Sequence, residues 1–148
     1  MSVLEDIRAK AKVLHRTVIL PEGNEERTLK AAQMLMRDGL ANVILVEDET
    51  SIRQNAAKAG VDLTGVQIVD PKTSPKAAEF ATLIYEKRKA KGMTPEKAVQ
   101  TMQDPLWYGA MMLEHGEIDG FVAGAVNSTA NVFRAGLQVI GMAPGIKT

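Results

Sequence analysis

A mostly parallel β-sheet sandwiched between helices, an α/β fold in three layers, is the architecture this 148-residue sequence predicts. Short β-branched runs alternate with helix-period segments, and the segments between runs have crossover length. Hydrophobic residues make up 45% of the chain, enough for one real core, since a domain of this size removes roughly 68–70% of its unfolded surface from water.

The elements follow in order. Val3, Leu4, Ile7 and Ala11 recur at three-and-four spacing, so Ser2 to Val13 reads as an amphipathic helix. Thr17 to Leu20 is a strand closed by Pro21 and Gly23. Asn24 is placed to cap a second helix, with Glu25 and Glu26 in its positive first turn and Asp38-Gly39 at its end. The unit repeats: Asn42 to Val46 is a strand, Glu49 to Ala59 a helix and Val66 to Val69 a third strand. A long helix runs from Ser74 to about Lys91. Thr94-Pro95 and Asp104-Pro105 each pair a capping side chain with proline at the first helical position, which predicts two more helices. Asp119 to Val122 is a fourth strand, and Ala130 to Ile140 is a final helix with Phe133, Leu137 and Ile140 on one stripe. No repeat, low-complexity tract or linker interrupts the pattern.

Lys+Arg and Asp+Glu are balanced at 18 each, so no broad basic field exists to hold a nucleic-acid backbone or an anionic membrane. Cysteine is absent, which removes disulfides, thiolate metal sites and a cysteine nucleophile together and fits a reducing cytoplasm. Neither a signal peptide nor the ~20 apolar residues of a membrane span is visible. The expectation is a soluble cytoplasmic protein. Two isolated histidines, His15 and His115, make no metal site and read as structural, as do the methionines Met34, Met36, Met111 and Met112 at core spacing. Trp107-Tyr108 reads as a helix packing anchor or a subunit contact, and Glu22 with Glu25 and Glu26 as a solvated helix start.

Ligands of an open parallel sheet collect at the carboxyl ends of its strands. The loop after the fourth strand is the most informative of these places. Gly124 allows close backbone approach, while Asn127, Ser128 and Thr129 lead into a helix whose first amides have no intrahelical partner, so the segment outlines an anion cradle. An ordinary capped turn is the competing reading. The lysine and glycine spacing of a nucleotide P-loop and the glycine triplet of a dinucleotide fold are both missing. Arg134 lies six residues beyond Ser128, roughly 9 Å along a helix, and helical side chains lean back toward the N-terminus, so its guanidinium is expected to reach the same anion. It also falls close to the expected buried stripe. Arg88 continues the line of Ala77, Ala81 and Ile84 on the preceding long helix, where a charge needs a phosphate or a carboxylate as partner, although it sits in a Lys-Arg-Lys run of the kind that is often solvated.

The run from Asp119 to Gly141 closely resembles the phosphate acetyltransferase and phosphate butyryltransferase family. Leu20-Pro21-Glu22-Gly23-Asn24-Glu25-Glu26-Arg27 and Tyr85-Glu86-Lys87-Arg88-Lys89-Ala90-Lys91-Gly92-Met93-Thr94 extend the likeness over nearly the whole chain in order. The resemblance implies an isocitrate/isopropylmalate-dehydrogenase-like enzyme of two α/β domains, usually a homodimer, with its active site in the cleft between them. It implies acetyl transfer between coenzyme A and phosphate, with acetyl phosphate as the other partner and no metal or cofactor beyond coenzyme A as substrate. Arg134 and Arg88 match the cleft arginines of the family, and Ser128 and Thr129 its phosphate-side loop. Family members run to roughly twice this length, a typical two-domain size. Residues 1–148 are therefore expected to be the N-terminal part of the first domain. The general base and most of the coenzyme A site are expected in the remainder, with this segment inactive alone. Two alternatives stand beside this reading. One is butyryl transfer; the other is a non-catalytic regulatory module responsive to acyl phosphate or coenzyme A, of the kind fused to malic enzymes, against which a chain starting at Met1 counts.

Overall fold

The computed structural model describes residues 2–146. Four parallel strands form one sheet in the order β3-β2-β1-β4, with β1 at Thr17–Leu20, β2 at Asn42–Val46, β3 at Gln67–Val69 and β4 at Gly120–Phe121. Register is set by Thr17 opposite Asn42, Val18 opposite Gly120 and Ile44 opposite Gln67. Because β1 lies between β2 and β4, the loops that follow β1 and β4 emerge side by side at one edge, which is where parallel sheets bind ligands.

Helices cover both faces, as expected. α2 (Glu26–Arg37) and α3 (Glu49–Ala59) bury Leu29, Ala32, Ile52 and Ala56 against Leu20, Val43 and Leu45. On the other face lie α4 (Ala77–Arg88), α5 (Pro95–Thr101), α6 (Pro105–Glu114) and α7 (Thr129–Ala135), around a core of Phe80, Ile84, Met102, Tyr108, Met111 and Val139. Gly109 sits where an added Cβ would lie 3.1 Å from the Phe121 ring, a tight contact that the ring would have to yield to by a few tenths of an ångström. Tyr108 is buried, and its hydroxyl is satisfied at 2.5 Å by the Ser74 hydroxyl. His115, at the end of α6, packs tilted against the Phe80 ring and lies 3.0 Å from the Glu117 carboxylate.

Local signals place most boundaries. Thr94 and Asp104 cap α5 and α6 ahead of their prolines, and Gly60 ends α3 in the left-handed conformation. Five details differ from the sequence reading. Glu25, not Asn24, caps α2, because its longer side chain reaches the Thr28 amide. α4 begins at Ala77 and passes at Arg88 into a 3₁₀ turn over Lys89–Lys91. Met34 is exposed, whereas Met111 and Met112 are buried. α1 (Val3–Leu14) is helical, but no residue of it is buried, and its apolar side borders an open groove of about 600 Å³ shared with Val18, Leu20, Leu35 and Val122. The last helix is inverted. Val132, Ala135 and Val139 face the core, while Phe133, Leu137 and Ile140 are exposed. Small side chains win the inner face because the segment packs closely on α6, and past Ala135 it widens into a π-helical turn over Gly136–Ile140.

Candidate functional site

The loop after β4 is built around a side chain from the loop after β1. Glu22 follows Leu20-Pro21 at the carboxyl end of the central strand and is only 6% exposed. Its Oε1 accepts the amides of Gly124 at 2.7 Å and Ala125 at 2.9 Å; its Oε2 accepts those of Val126 at 2.5 Å and Asn127 at 2.6 Å, with Asn127 Nδ2 at 3.2 Å. Four consecutive amides therefore converge on one anion, and that anion belongs to the chain. Arg27 grips the loop from the other side, donating to the Ala125 carbonyl at 2.8 Å while its Nε is held by Glu25.

Gly124 takes φ +113, a conformation that L side chains rarely adopt, although open space surrounds the position of a Cβ. Its requirement is therefore backbone shape alone. Gly124→Ala is expected to cost about 1–2 kcal/mol from left-handed strain, read as a shift in the urea midpoint with an unchanged slope.

Electrostatics at Glu22 are set by opposing effects. Burial favours the neutral acid, but the amides of Asn127, Val126, Ala125 and Gly124 together outweigh it and hold the carboxyl below the usual carboxylate range. For a carboxylate whose folded pKa is depressed, the stabilisation is complete above the unfolded pKa and is lost as pH falls through the folded one. Glu47, on the neighbouring strand end, behaves oppositely: burial is the main influence and raises its pKa, so the folded form takes up a proton more readily and Glu47 opposes acid unfolding. Lowering pH from 7 to below about 4 should thus loosen the Gly124–Asn127 loop, seen as lower amide protection there relative to the intrinsic exchange rate at each pH. Glu22→Gln should show low protection already at pH 7 and little further change in protection on acidification.

The predicted site residues fall into two groups. Gly124, Asn127, Ser128, Thr129 and Arg134 share one continuous loop and helix. Ser128 caps α7 with its hydroxyl on the Asn131 amide at 3.2 Å, and Thr129 follows as the first helical residue. Arg134 is exposed, and its Nη1 lies 3.3 Å from Asn131 Oδ1, back toward the helix start. The sequence reading placed it beside a buried stripe; the inverted face puts it in solvent. Arg88 comes from a separate element, the last turn of α4. It is half-buried on the side continuing Ile84, and its guanidinium makes no ion pair or hydrogen bond among the described residues. Its neighbour Lys87 donates to the Val139 carbonyl at 2.6 Å, tying the end of α4 to the segment following α7.

Sequence reasoning missed Glu22. From sequence it reads as part of a solvated helix start with Glu25 and Glu26, yet it is buried, because β1 is an interior strand and the first side chain after Pro21 turns in beneath the loop that follows β4. The available signal was its position, a carboxylate two residues after the end of an apolar strand, at the carboxyl edge where parallel sheets bind ligands. Glu22 and Asn127 also line a cleft of about 240 Å³ with Pro21, Glu47, Asp104 and Val126. Among the described residues no group of three or more His, Cys, Asp or Glu is arranged to hold a metal ion, and no helix is long and apolar enough to cross a membrane.

Fold and site together define an α/β sandwich that assembles an amide-lined loop and an arginine-bearing helix at the carboxyl edge of its sheet. The sequence pattern described as phosphate acetyl/butaryl transferase matches residues 2–148, and the chain belongs to that family. It is 49% identical over 147 residues to the phosphate acetyltransferase of Acetivibrio thermocellus, covering 99% of this chain and 44% of that protein. It is 43% identical to the Clostridium acetobutylicum phosphate acetyltransferase over the same shares. Among solved structures it is similar to a phosphotransacetylase from Streptococcus pyogenes, with a TM-score of 0.91 at 31% identity, covering 100% of this chain and 46% of that one. The chain thus spans less than half the length of these relatives.

Proposed function

We propose that this chain supplies the phosphate side of a phosphate acetyltransferase site, in a reaction interconverting acetyl-coenzyme A plus phosphate with acetyl phosphate plus coenzyme A. The family match along residues 2–148 carries the reading, and the relatives from Acetivibrio thermocellus and Clostridium acetobutylicum are phosphate acetyltransferases. The site chemistry agrees with it. An exposed guanidinium six and five residues past Ser128 and Thr129 at a helix start suits a phosphate dianion, since arginine offers a planar fork of donors to two oxygens at once.

In this reaction the thiolate sulfur of coenzyme A bonds to the carbonyl carbon of acetyl phosphate, and the carbon–oxygen bond to phosphate then breaks. The electron pair leaves on the phosphate oxygen. Ser128 and Thr129 orient the phosphate, and Arg134 offsets the charge that grows on it as it departs, which is positioning combined with electrostatic stabilisation. Arg88 assists from the α4 side. Residues 1–148 make up the N-terminal part of the first domain, and the group that deprotonates the thiol belongs to the length the relatives have in addition. The assembled enzyme works as a cytoplasmic homodimer.

The test is to mix acetyl-coenzyme A with phosphate and trap acetyl phosphate as its hydroxamate. It uses this chain alone and a full-length form, meaning this segment joined to the C-terminal portion that the relatives have, with butyryl-coenzyme A in parallel. The full-length form is expected to make acetyl hydroxamate faster than butyryl hydroxamate, and this chain alone to make neither. Preference for butyryl-coenzyme A would overturn the acetyl assignment, and absence of both products from the full-length form would overturn the transferase reading.

A further inference from the structure

We infer that Glu22 is a positioning residue of the phosphate site: its buried carboxylate is the internal anion around which the Gly124–Asn127 loop is folded, leaving substrate phosphate to Ser128, Thr129 and Arg134. This rests on the acetyl-transfer reading for the identity of the substrate.

Stoichiometry carries the argument. A run of four consecutive amides turned to one point is an arrangement that binds anions, and here each of the four already donates to a Glu22 oxygen, two per oxygen, at 2.5 to 2.9 Å. The carboxylate is 6% exposed and also takes the Asn127 side-chain amide. A phosphate could use these amides only by evicting a carboxylate from a buried site into a cleft that already holds Glu47 and Asp104. Like charge there opposes the move.

The carboxylate instead sets the position of α7. Asn127 is the last clamped residue, Ser128 is the cap of α7, and Arg134 projects from that helix. Clamping the loop therefore fixes the cap, start and heading of the helix from which the three phosphate ligands are presented. The Arg27 bond to the Ala125 carbonyl holds the same loop in the opposite sense, so its backbone is constrained through both donors and an acceptor. Neutral glutamine cannot replace the carboxylate, because its amide group would present N–H to backbone N–H at one of the two positions.

The experiment uses the full-length form and inorganic phosphate as the probe. Calorimetric affinity is measured for the wild type, for Glu22→Ala, and for each with added formate, a free carboxylate small enough to refill the position. Amide resonances of the wild type are followed during the same titration. Glu22→Ala is expected to bind phosphate at least roughly tenfold more weakly, formate to restore binding in the variant without strengthening it in the wild type, and phosphate to shift the Ser128–Ala130 amides while leaving Gly124–Asn127 in place. Equal or tighter phosphate binding by the variant, or phosphate shifts centred on Gly124–Asn127, would mean that substrate takes the place of Glu22, and the inference fails. Should the variant not fold, the wild-type titration decides alone. Phosphate binding without acetyl transfer overturns the acetyl-transfer reading but leaves the role of Glu22 intact; a wild type that binds no phosphate overturns both.

Discussion

Replacing Arg134 with alanine in the full-length form is expected to lower kcat/KM for phosphate by roughly 10²–10³, the range seen when one donor to a developing negative charge is removed. The guanidinium has no carboxylate partner among the described residues; its one hydrogen bond goes to neutral Asn131. It is exposed and packs into no core, so its loss leaves the fold intact. The change should therefore appear in kinetics and not in melting temperature. Lysine at 134 should recover only part of the rate, since a single ammonium cannot span two phosphate oxygens. Steady-state rates at varied phosphate, with acetyl-coenzyme A saturating, separate the two variants. An unchanged KM for acetyl-coenzyme A would place the whole loss on the phosphate side.

The largest effect on stability is expected from Phe80→Ala, at about 3–5 kcal/mol. Phe80 is fully buried on α4, with its ring centroid 5.0 Å from that of Tyr108 and 5.4 Å from that of His115. Truncation would remove the contacts joining α4 to α6 and leave Tyr108, whose hydroxyl is pinned by Ser74, unable to collapse into the space. Urea unfolding followed by fluorescence of Trp107, which packs against the same core, checks this directly. A loss below about 1.5 kcal/mol, the ceiling for a well-tolerated core swap, would show that α4 is not part of that cooperative core.

Much of the fold was legible because its signals are local. Val18-Ile19-Leu20 and Val43 to Val46 are apolar and β-branched enough to be strands buried on both faces, and Thr94-Pro95 and Asp104-Pro105 fix helix starts within one residue. The final helix was placed correctly but turned the wrong way. Periodicity alone cannot choose between the larger stripe of Phe133, Leu137 and Ile140 and the smaller one of Val132, Ala135 and Val139, because both repeat at helical spacing. The choice depends on how closely α6 approaches, which only the tertiary structure reveals.

The site was legible in the same uneven way. Gly124 to Thr129 could be read as a glycine turn leading into a helix start, and the chain does take that shape, with Gly124 at positive φ and Ser128 as the cap. That the anion held by four of its amides is Glu22, 102 residues earlier than Gly124, could not be read from spacing, because the contact is created by β1 and β4 lying side by side. Nonlocal strand order is what the sequence expresses least directly.

A crystal structure of the full-length form with phosphate bound tests the central claim most directly. The account predicts phosphate oxygens within about 3 Å of the Thr129 hydroxyl and the Arg134 guanidinium, with the Gly124–Asn127 amides still on Glu22. Phosphate bound only to residues outside this segment would contradict it.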